Sequence, residues 1–589
     1  MEWSSNMTVA NYNSLVQKTF CENAIRSVVM IDDDFLTYSE SIRALNNEVD
    51  LDYNKIDSSK RAATLESFFQ SKNMICDVDN GSVNFDVDRI RKSDLIIVDY
   101  HLDNNAPDKT LKPLQDLKDS DHLNMIVIYT RENLETVWMQ ISSTLKGALD
   151  INSLIIDYDN EDVQSYWEDV VLPNLNDNGN KALTRDETIA YIKDSKPCRR
   201  IKRLIHDDAV LEDQKDKNFI AKMIAEYAVS RNAIISSNTS GNVIRGDESG
   251  VKWIQCGNIF VSLFHKVQDD HENDGDRIWQ TLNDSLIEWK PSYYQLIKSE
   301  IQNAIEAEAL SFVNHLANDH YGQAAWLNEI LKSDSPDIRC RNIDFVFGNL
   351  SEELYQRLKN NNTLDEFIKS VFDSYSNEYA NSGVAALLQY CSSKMDLPSN
   401  NDTYHEMYHA LNMNLSSKNF EDGHISTGTI FFDTESNKWY LCVSAACDLV
   451  PTQCNDPHHV RLSPHRLIKV LELFNASQSK ALPFAEHSKY IYVMHKNQRK
   501  YLSIFEGDKT LPVVDYMVVL NHGTTVDGEE KNIISAVFLS NMDGNVQNVP
   551  VRLKLKSQLR TGYAERYQAI ASQYSSRIGV DYYVSMMLP

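Results

Sequence analysis

Along the first 183 residues, apolar positions fall in short unbroken runs separated by stretches with helical spacing. Ser27–Ile31 (SVVMI), Asp94–Val98 (DLIIV) and Met125–Tyr129 (MIVIY) are rich in β-branched residues and predict buried strands. Leu154–Ile156 (LII) predicts a shorter strand and Met74–Val78 a weaker one. Helical patterns separate them at Ala62–Gln70, Asp86–Lys92, Leu111–Lys118 and Leu134–Leu145. Strands apolar throughout and spaced by helices predict an α/β domain with a parallel five-stranded sheet, covered on both faces. The run NDNGN (Asn176–Asn180) reads as a linker, which sets a domain over residues 1–183.

Residues 184–400 read as a mainly helical middle domain. Asn218–Arg231 and the long Ser292–Ala317, which follows Pro291, carry its pattern, with one β-like run at Lys252–Phe264. Residues 401–589 alternate differently. Thr429–Phe432, Trp439–Ser444, Lys489–Met494, Val513–Leu520 and Asn532–Leu539 predict strands, while Pro464–Asn475 and Leu559–Ser575 read as helices. This is the pattern of a small α+β or barrel-like C-terminal domain.

Composition narrows the class. The chain has 589 residues, 42% of them apolar, enough to bury true cores. No apolar run reaches the ~18–20 residues that span a bilayer. MEWSSNMTVANYNS at the start lacks the basic and apolar regions of a signal peptide, so a cytoplasmic protein with no membrane partner is expected. Acids outnumber bases 84 to 58, a formal charge of −26, and this average field repels a phosphate backbone, which disfavours nucleic acid as a direct partner. Nine scattered cysteines without a C-x-x-C pair fit reduced thiols.

The chemistry is concentrated at strand ends. IDDD places Asp32, Asp33 and Asp34, and IIVDYHLD places Asp99, where buried apolar runs stop. Ligands of an open parallel sheet bind beyond the carboxyl ends of its strands, so adjacent strands would bring Asp32, Asp33 and Asp99 together. Three clustered carboxylates repel one another, and a hard divalent cation such as Mg²⁺ relieves that repulsion. A carboxylate beside Mg²⁺ can attack a phosphoryl group and form an acyl phosphate. The third run ends at Thr130, whose hydroxyl is placed to bond a phosphoryl oxygen.

These segments, IRSVVMIDDD, DLIIVDYHLD and NMIVIYT in that order, make Ile25–Tyr158 resemble the receiver domain of two-component response regulators, a flavodoxin-like fold. More narrowly the chain resembles long response-receiver proteins associated with GHKL-type ATPases in bacterial conflict and phage-defence loci. The resemblance covers roughly a quarter of the chain. It implies that Asp99 is the phospho-acceptor, Asp33 a direct Mg²⁺ ligand, Asp32 a ligand mainly through water, the His101 carbonyl a further ligand and Thr130 the switch hydroxyl. It also implies a histidine kinase or GHKL-type ATPase as partner, and output through protein–protein contacts. Receivers carry a lysine at the end of the fifth strand. The matching run here is LIIDYD, with Asp157 in that place and the nearest lysine, Lys146, before it. Two readings therefore stand, a working phospho-acceptor and a degenerate receiver that only docks a partner. The long spacing from Asp32 to Asp99 implies an insertion around Thr37–Asp57.

Other motifs offer competing chemistry. His405-Glu406-Met407-Tyr408-His409 matches H-E-x-x-H, which on a helix places two histidines on one side for zinc, with Glu406 as general base. The alternative function is thus a zinc-dependent hydrolase controlled by the N-terminal domain. The ordinary reading is an amphipathic helix with Tyr404, Met407, Leu411 and Leu415 as its stripe, and zinc is not the expected cofactor. Cys442, Cys447, Cys454, His458, His459 and His465 are dense, but their gaps suit buried thiols better than a zinc site. SKPCRRIKRLIH (Ser195–His206) reads as a basic helix, suited to solvent between domains, to nucleic acid or to an acidic partner surface. No P-loop, G-x-G-x-x-G or G-x-S-x-G element occurs, so the expected role is regulatory rather than enzymatic.

Overall fold

The computed structural model describes residues 12–46, 53–81, 90–102, 107–120, 123–207, 211–236, 241–267, 272–308, 319–332, 336–378, 383–420, 425–449, 458–487, 489–507, 509–523, 532–542 and 544–575. The chain divides into two compact units, residues 1–313 with 355–378, and residues 314–354 with 379–589. Among the described residues no helix is long and apolar enough to cross a membrane.

The first unit is built on strands β1 (Ser27–Ile31), β2 (Ile75–Asp79), β3 (Leu95–Val98), β4 (Asn124–Thr130), β5 (Arg245–Asp247), β6 (Trp253–Cys256) and β7 (Ile259–His265), in the spatial order β2-β1-β3-β4-β7-β6-β5. The first five in that order are parallel, and β6 and β5 continue the sheet antiparallel. Successive side chains alternate between two cores. Val29, Ile31, Ile96, Val98, Ile126, Ile128, Val261 and Leu263 face one side, with Leu114, Val137 and Ile141 from helices Asp108–Leu117 and Leu134–Lys146. Val28, Met30, Leu95, Ile97, Val127, Tyr129, Phe260 and Phe264 face the other, with Leu65 and Phe69 from helix Tyr53–Ser71 and Ile278, Leu282 and Leu286 from helix Asp274–Trp289. Burial on both faces is why these strands read as unbroken apolar runs.

The expected fifth strand, Leu154–Ile156, is instead helix Ile151–Ile156. The Asp150 carboxylate accepts the Asn152 and Ser153 amides as an N-cap, Ile151 and Ile155 are buried one helical turn apart, and Ile156 is 68% exposed, which a central strand would not allow. This helix opens a bundle inserted after Leu134–Lys146. It continues through Glu161–Tyr166, Trp167–Val171 and Leu172–Asn176, then Arg185–Asp194, Arg199–His206 and Gln214–Ser230, around Val163, Trp167, Val171, Ile201, Ile205, Ile220 and Ile224. NDNGN is a packed turn rather than a linker, since Asn176 accepts a hydrogen bond from the Tyr227 hydroxyl. The boundary expected at 183 therefore does not divide the fold. The β-like run Lys252–Phe264, expected in a middle domain, supplies β6 and the true fifth parallel strand, β7. Helix Asp86–Lys92 lies largely outside the described residues, as does part of Thr37–Asp57.

The second unit carries β8 (Ser417–Asn419), β9 (Thr429–Asp433), β10 (Trp439–Cys442), β11 (Arg466–Asn475), β12 (Tyr490–His495), β13 (Gln498–Ser503), β14 (Val514–Val519), β15 (Ile533–Met542) and β16 (Asn545–Leu559). Antiparallel pairing runs β10-β9-β16-β15-β14-β11 and returns from β11 to β10, closing a six-stranded barrel. Phe431, Tyr440, Cys442, Ile468, Val470, Met517, Ala536 and Leu553 fill one core, while Phe432, Trp439, Leu441 and Leu473 pack with the β12–β13 hairpin and helix Thr561–Ser575. Pro464–Asn475, expected as a helix, is β11. Its side chains largely alternate inward and outward, Ile468 and Val470 against Lys469.

Candidate functional site

Register assembles the rim of the parallel sheet. Ile31 lies opposite Val98, so Asp32 and Asp99, the next residue on each chain, emerge side by side, and the Asp99 amide donates to the Ile31 carbonyl at 2.9 Å. Asp32, Asp33 and Asp99 each present an oxygen within 4.8 Å of the others. The Asp32 carboxylate accepts the Asp34 amide at 3.0 Å, and the Asp99 carbonyl accepts the Thr110 hydroxyl at 2.9 Å, so the backbone around both acids is pinned. On β4 and β7, Thr130 lies opposite His265, and Lys266 follows with its amide on the Thr130 carbonyl at 2.7 Å.

Lys266 is the residue that the sequence reading missed. Its Nζ lies 2.7 Å from Asp32 Oδ2 and 3.0 Å from Asp99 Oδ1, and its side chain is 8% exposed. It stands at the end of the fifth parallel strand, where LIIDYD had placed Asp157. Asp157 instead caps the C-terminus of helix Ile151–Ile156, and the Lys146 ammonium bonds the Ser195 hydroxyl. A signal was present, because IFVSLFHK is an apolar β-rich run ending in a base, but it comes after more than a hundred inserted residues.

The electrostatics follow from this crowding. Burial pushes the Asp99 carboxyl up to about 6; the Lys266 ammonium opposes the rise and the Asp32 carboxylate adds to it. Burial, with Asp32 and Asp33 beside it, also raises the Asp34 carboxyl. A donor set of three carboxylates, all hard oxygens, fits Mg²⁺. Thr130 is buried, and its Oγ1 accepts the Glu132 amide at 3.2 Å, which leaves its proton available to a ligand at the rim. The His101 ring lies 3.8 Å from the Glu132 carboxylate.

The other candidate motifs do not converge. On helix Asn401–Ser416, His405 is exposed while His409 is fully buried, with Nε2 3.0 Å from the Lys500 carbonyl and its ring edge-on to Tyr492 and Tyr501. Glu406 is ion-paired to Arg499. The two histidines of the alternative zinc site thus point into different surroundings, and its candidate base is held by a cation. Tyr404 and Met407 are half-buried, whereas Leu411 and Leu415 are more than half exposed, so the stripe expected beside them is only partly covered. Cys442 is buried in β10, Cys447 is exposed, and Cys454 lies outside the described residues. The basic helix Arg199–His206 buries Ile201 and Ile205. Arg200 bonds Glu187 at 2.8 Å and the Ala182 carbonyl at 2.7 Å, while Arg199, Lys202 and Arg203 face solvent. Among the described residues, Asp32, Asp33 and Asp99 are the one group of three potential ligands drawn together tightly enough to hold a metal.

Residues 24–182 match the family model of the response receiver domain. The match takes in Asp32, Asp33, Asp99 and Thr130 and stops before the strand that delivers Lys266. No curated protein and no solved structure matches the chain. A receiver domain supports a signalling or regulatory role and interaction with signalling partners.

Proposed function

We propose that this chain is a phosphorylation-dependent regulator whose acceptor is Asp99. The observation that carries the reading is the Lys266 ammonium set between Asp32 and Asp99, at the end of the fifth parallel strand. A lysine there favours a working acceptor over a module that only docks. Asp99 attacks the phosphorus of a donor, a P–O bond forms, the bond from phosphorus to the donor's leaving atom breaks, and the carboxylate becomes an acyl phosphate. Lys266 then pairs with the new phosphoryl oxygens and the Thr130 hydroxyl donates to one of them. Mg²⁺ held by Asp32, Asp33, Asp99 and the His101 carbonyl would neutralise charge on the transferring group.

The donor is proposed to be a histidine kinase or GHKL-type ATPase, and the setting a bacterial defence system. The added charge, about −1.5 to −2, acts through Thr130 on the helix Leu134–Lys146 that begins four residues later. That helix shares a core with Ile192 and Val229 of the inserted bundle, which makes the bundle the first recipient of the change. The test is incubation with a small phosphodonor and Mg²⁺, followed by intact-mass measurement. Wild type gains one phosphoryl group and Asp99→Asn gains none. An unchanged wild-type mass, or a gain that persists in Asp99→Asn, refutes the reading.

A further inference from the structure

Behind Lys266 lies a second polar group, and nothing in the phosphoryl chemistry uses it directly. Arg61 from helix Tyr53–Ser71, Tyr129 from β4 and Asp274 from the start of helix Asp274–Trp289 are 2%, 1% and 0% exposed. Arg61 Nη1 lies 3.3 Å from Asp274 Oδ2 and donates to the Tyr129 hydroxyl at 2.9 Å, while that hydroxyl donates to Asp274. Burying a guanidinium and a carboxylate costs desolvation that apolar residues of the same volume would avoid. A triad spread over three elements therefore calls for a reason of geometry.

The geometry leads to the lysine. Arg61 Nη2 donates at 3.1 Å to the carbonyl of Val267, the residue after Lys266. The Lys266 ammonium lies over the Tyr129 ring, 4.9 Å from its centroid, a cation–π distance. Tyr129 in turn stacks on Phe264, its register partner across β4 and β7. Lys266 is thus gripped by its own amide on Thr130, by its neighbour's carbonyl on Arg61 and by its charge on Tyr129. A long flexible side chain that rejoins the sheet after an inserted bundle needs such a grip to hold one position.

We propose that Arg61, Asp274 and Tyr129 are positioning residues that hold the Lys266 ammonium between Asp32 and Asp99. The proposal deepens the phospho-acceptor reading and rests on it for its purpose, but its geometry is testable separately. The full chain is labelled with ¹³Cε-lysine, and the Lys266 resonance is assigned through Lys266→Arg. In wild type the ε-protons carry the upfield shift that a ring beneath the side chain produces. Arg61→Met and Asp274→Asn lose that shift and take up phosphoryl on the order of 10- to 100-fold more slowly. Their Mg²⁺ affinity does not fall below that of wild type, because the three carboxylates are untouched and lose a competing cation. Arg61→Lys recovers part of both the shift and the rate, since it restores the charge without the fork. Tyr129→Phe removes only the anchored hydroxyl, and it decides the matter if the buried ion-pair variants do not fold. A displaced Lys266 resonance with slower uptake supports the proposal, and an unmoved resonance overturns it. An unmoved resonance in folded Arg61→Met and Asp274→Asn overturns it as well, as does Mg²⁺ affinity that falls in step with the rate. If wild type takes up no phosphoryl group, the acceptor reading falls while the Lys266 resonance still answers this one.

Discussion

Two regions of this chain advertise a metal centre, and they behave in opposite ways. Asp32, Asp33 and Asp99 come from two strand ends more than sixty residues apart, and Lys266 arrives much later still, yet parallel register delivers all four to one rim. His405, Glu406 and His409 are neighbours on one helix, yet packing separates them. One histidine is exposed, one sits among tyrosines, and the acid is paired with Arg499. Proximity in sequence says little about a shared site when each side chain has its own better partner. Strand-end position says more, because the sheet itself enforces the meeting.

The contrast can be broken most forcefully at Lys266. Lys266→Met leaves two crowded carboxylates without their cation, and urea unfolding in chelator is expected to show a loss of about 3–5 kcal/mol. Mg²⁺ should recover most of it by taking over the neutralisation, and a loss indifferent to Mg²⁺ would mean the rim does not hold that ion. On the helix side, His409→Ala removes a buried ring and its hydrogen bond and should cost about 2–4 kcal/mol. Added zinc should leave the wild-type midpoint where it was, and a zinc-dependent rise would reinstate a metal role for that helix.

A pH experiment sharpens the rim. The folded fold holds the Asp99 carboxyl at about 6, above the ~3.9 of an unfolded aspartate. A raised carboxyl adds stability that is full below pH ~4 and is lost as pH climbs through ~6. In chelator, wild type should therefore lose on the order of 2 kcal/mol between pH 4 and 7 that Asp99→Asn does not lose. Parallel pH profiles for the two proteins would exclude that burial effect. The smallest change belongs to His405→Ala, an exposed position, where the midpoint should move by no more than about 0.5 kcal/mol.

Much of the first unit was legible because its strands are buried on both faces. SVVMI, LIIV and MIVIY needed no context to be read as strands, and the acids that follow them were found by their place alone. LII at 154–156 was misread because three apolar residues fit a strand and a helix turn equally well. Only the Asp150 cap and the exposure of Ile156 separate the two. With Leu154–Ile156 in the fifth place, Asp157 stands where the strand-end lysine belongs; with β7 there, Lys266 does. RLIKVLELFN spaces its apolar residues for a helix as well as for a strand, and only pairing within the closed barrel makes it β11.

Local composition was enough to set the character of most segments, apolar runs for strands, capped periodic stretches for helices, carboxylates where the strands stop. Those are properties of a few adjacent residues, and short-range sterics and solvation decide them. Which strand would stand fifth, and therefore which base would neutralise Asp99, depended on pairings across more than a hundred residues of inserted bundle. Hydrogen-bond register and buried contacts make that choice, and they exist only once the chain has closed on itself.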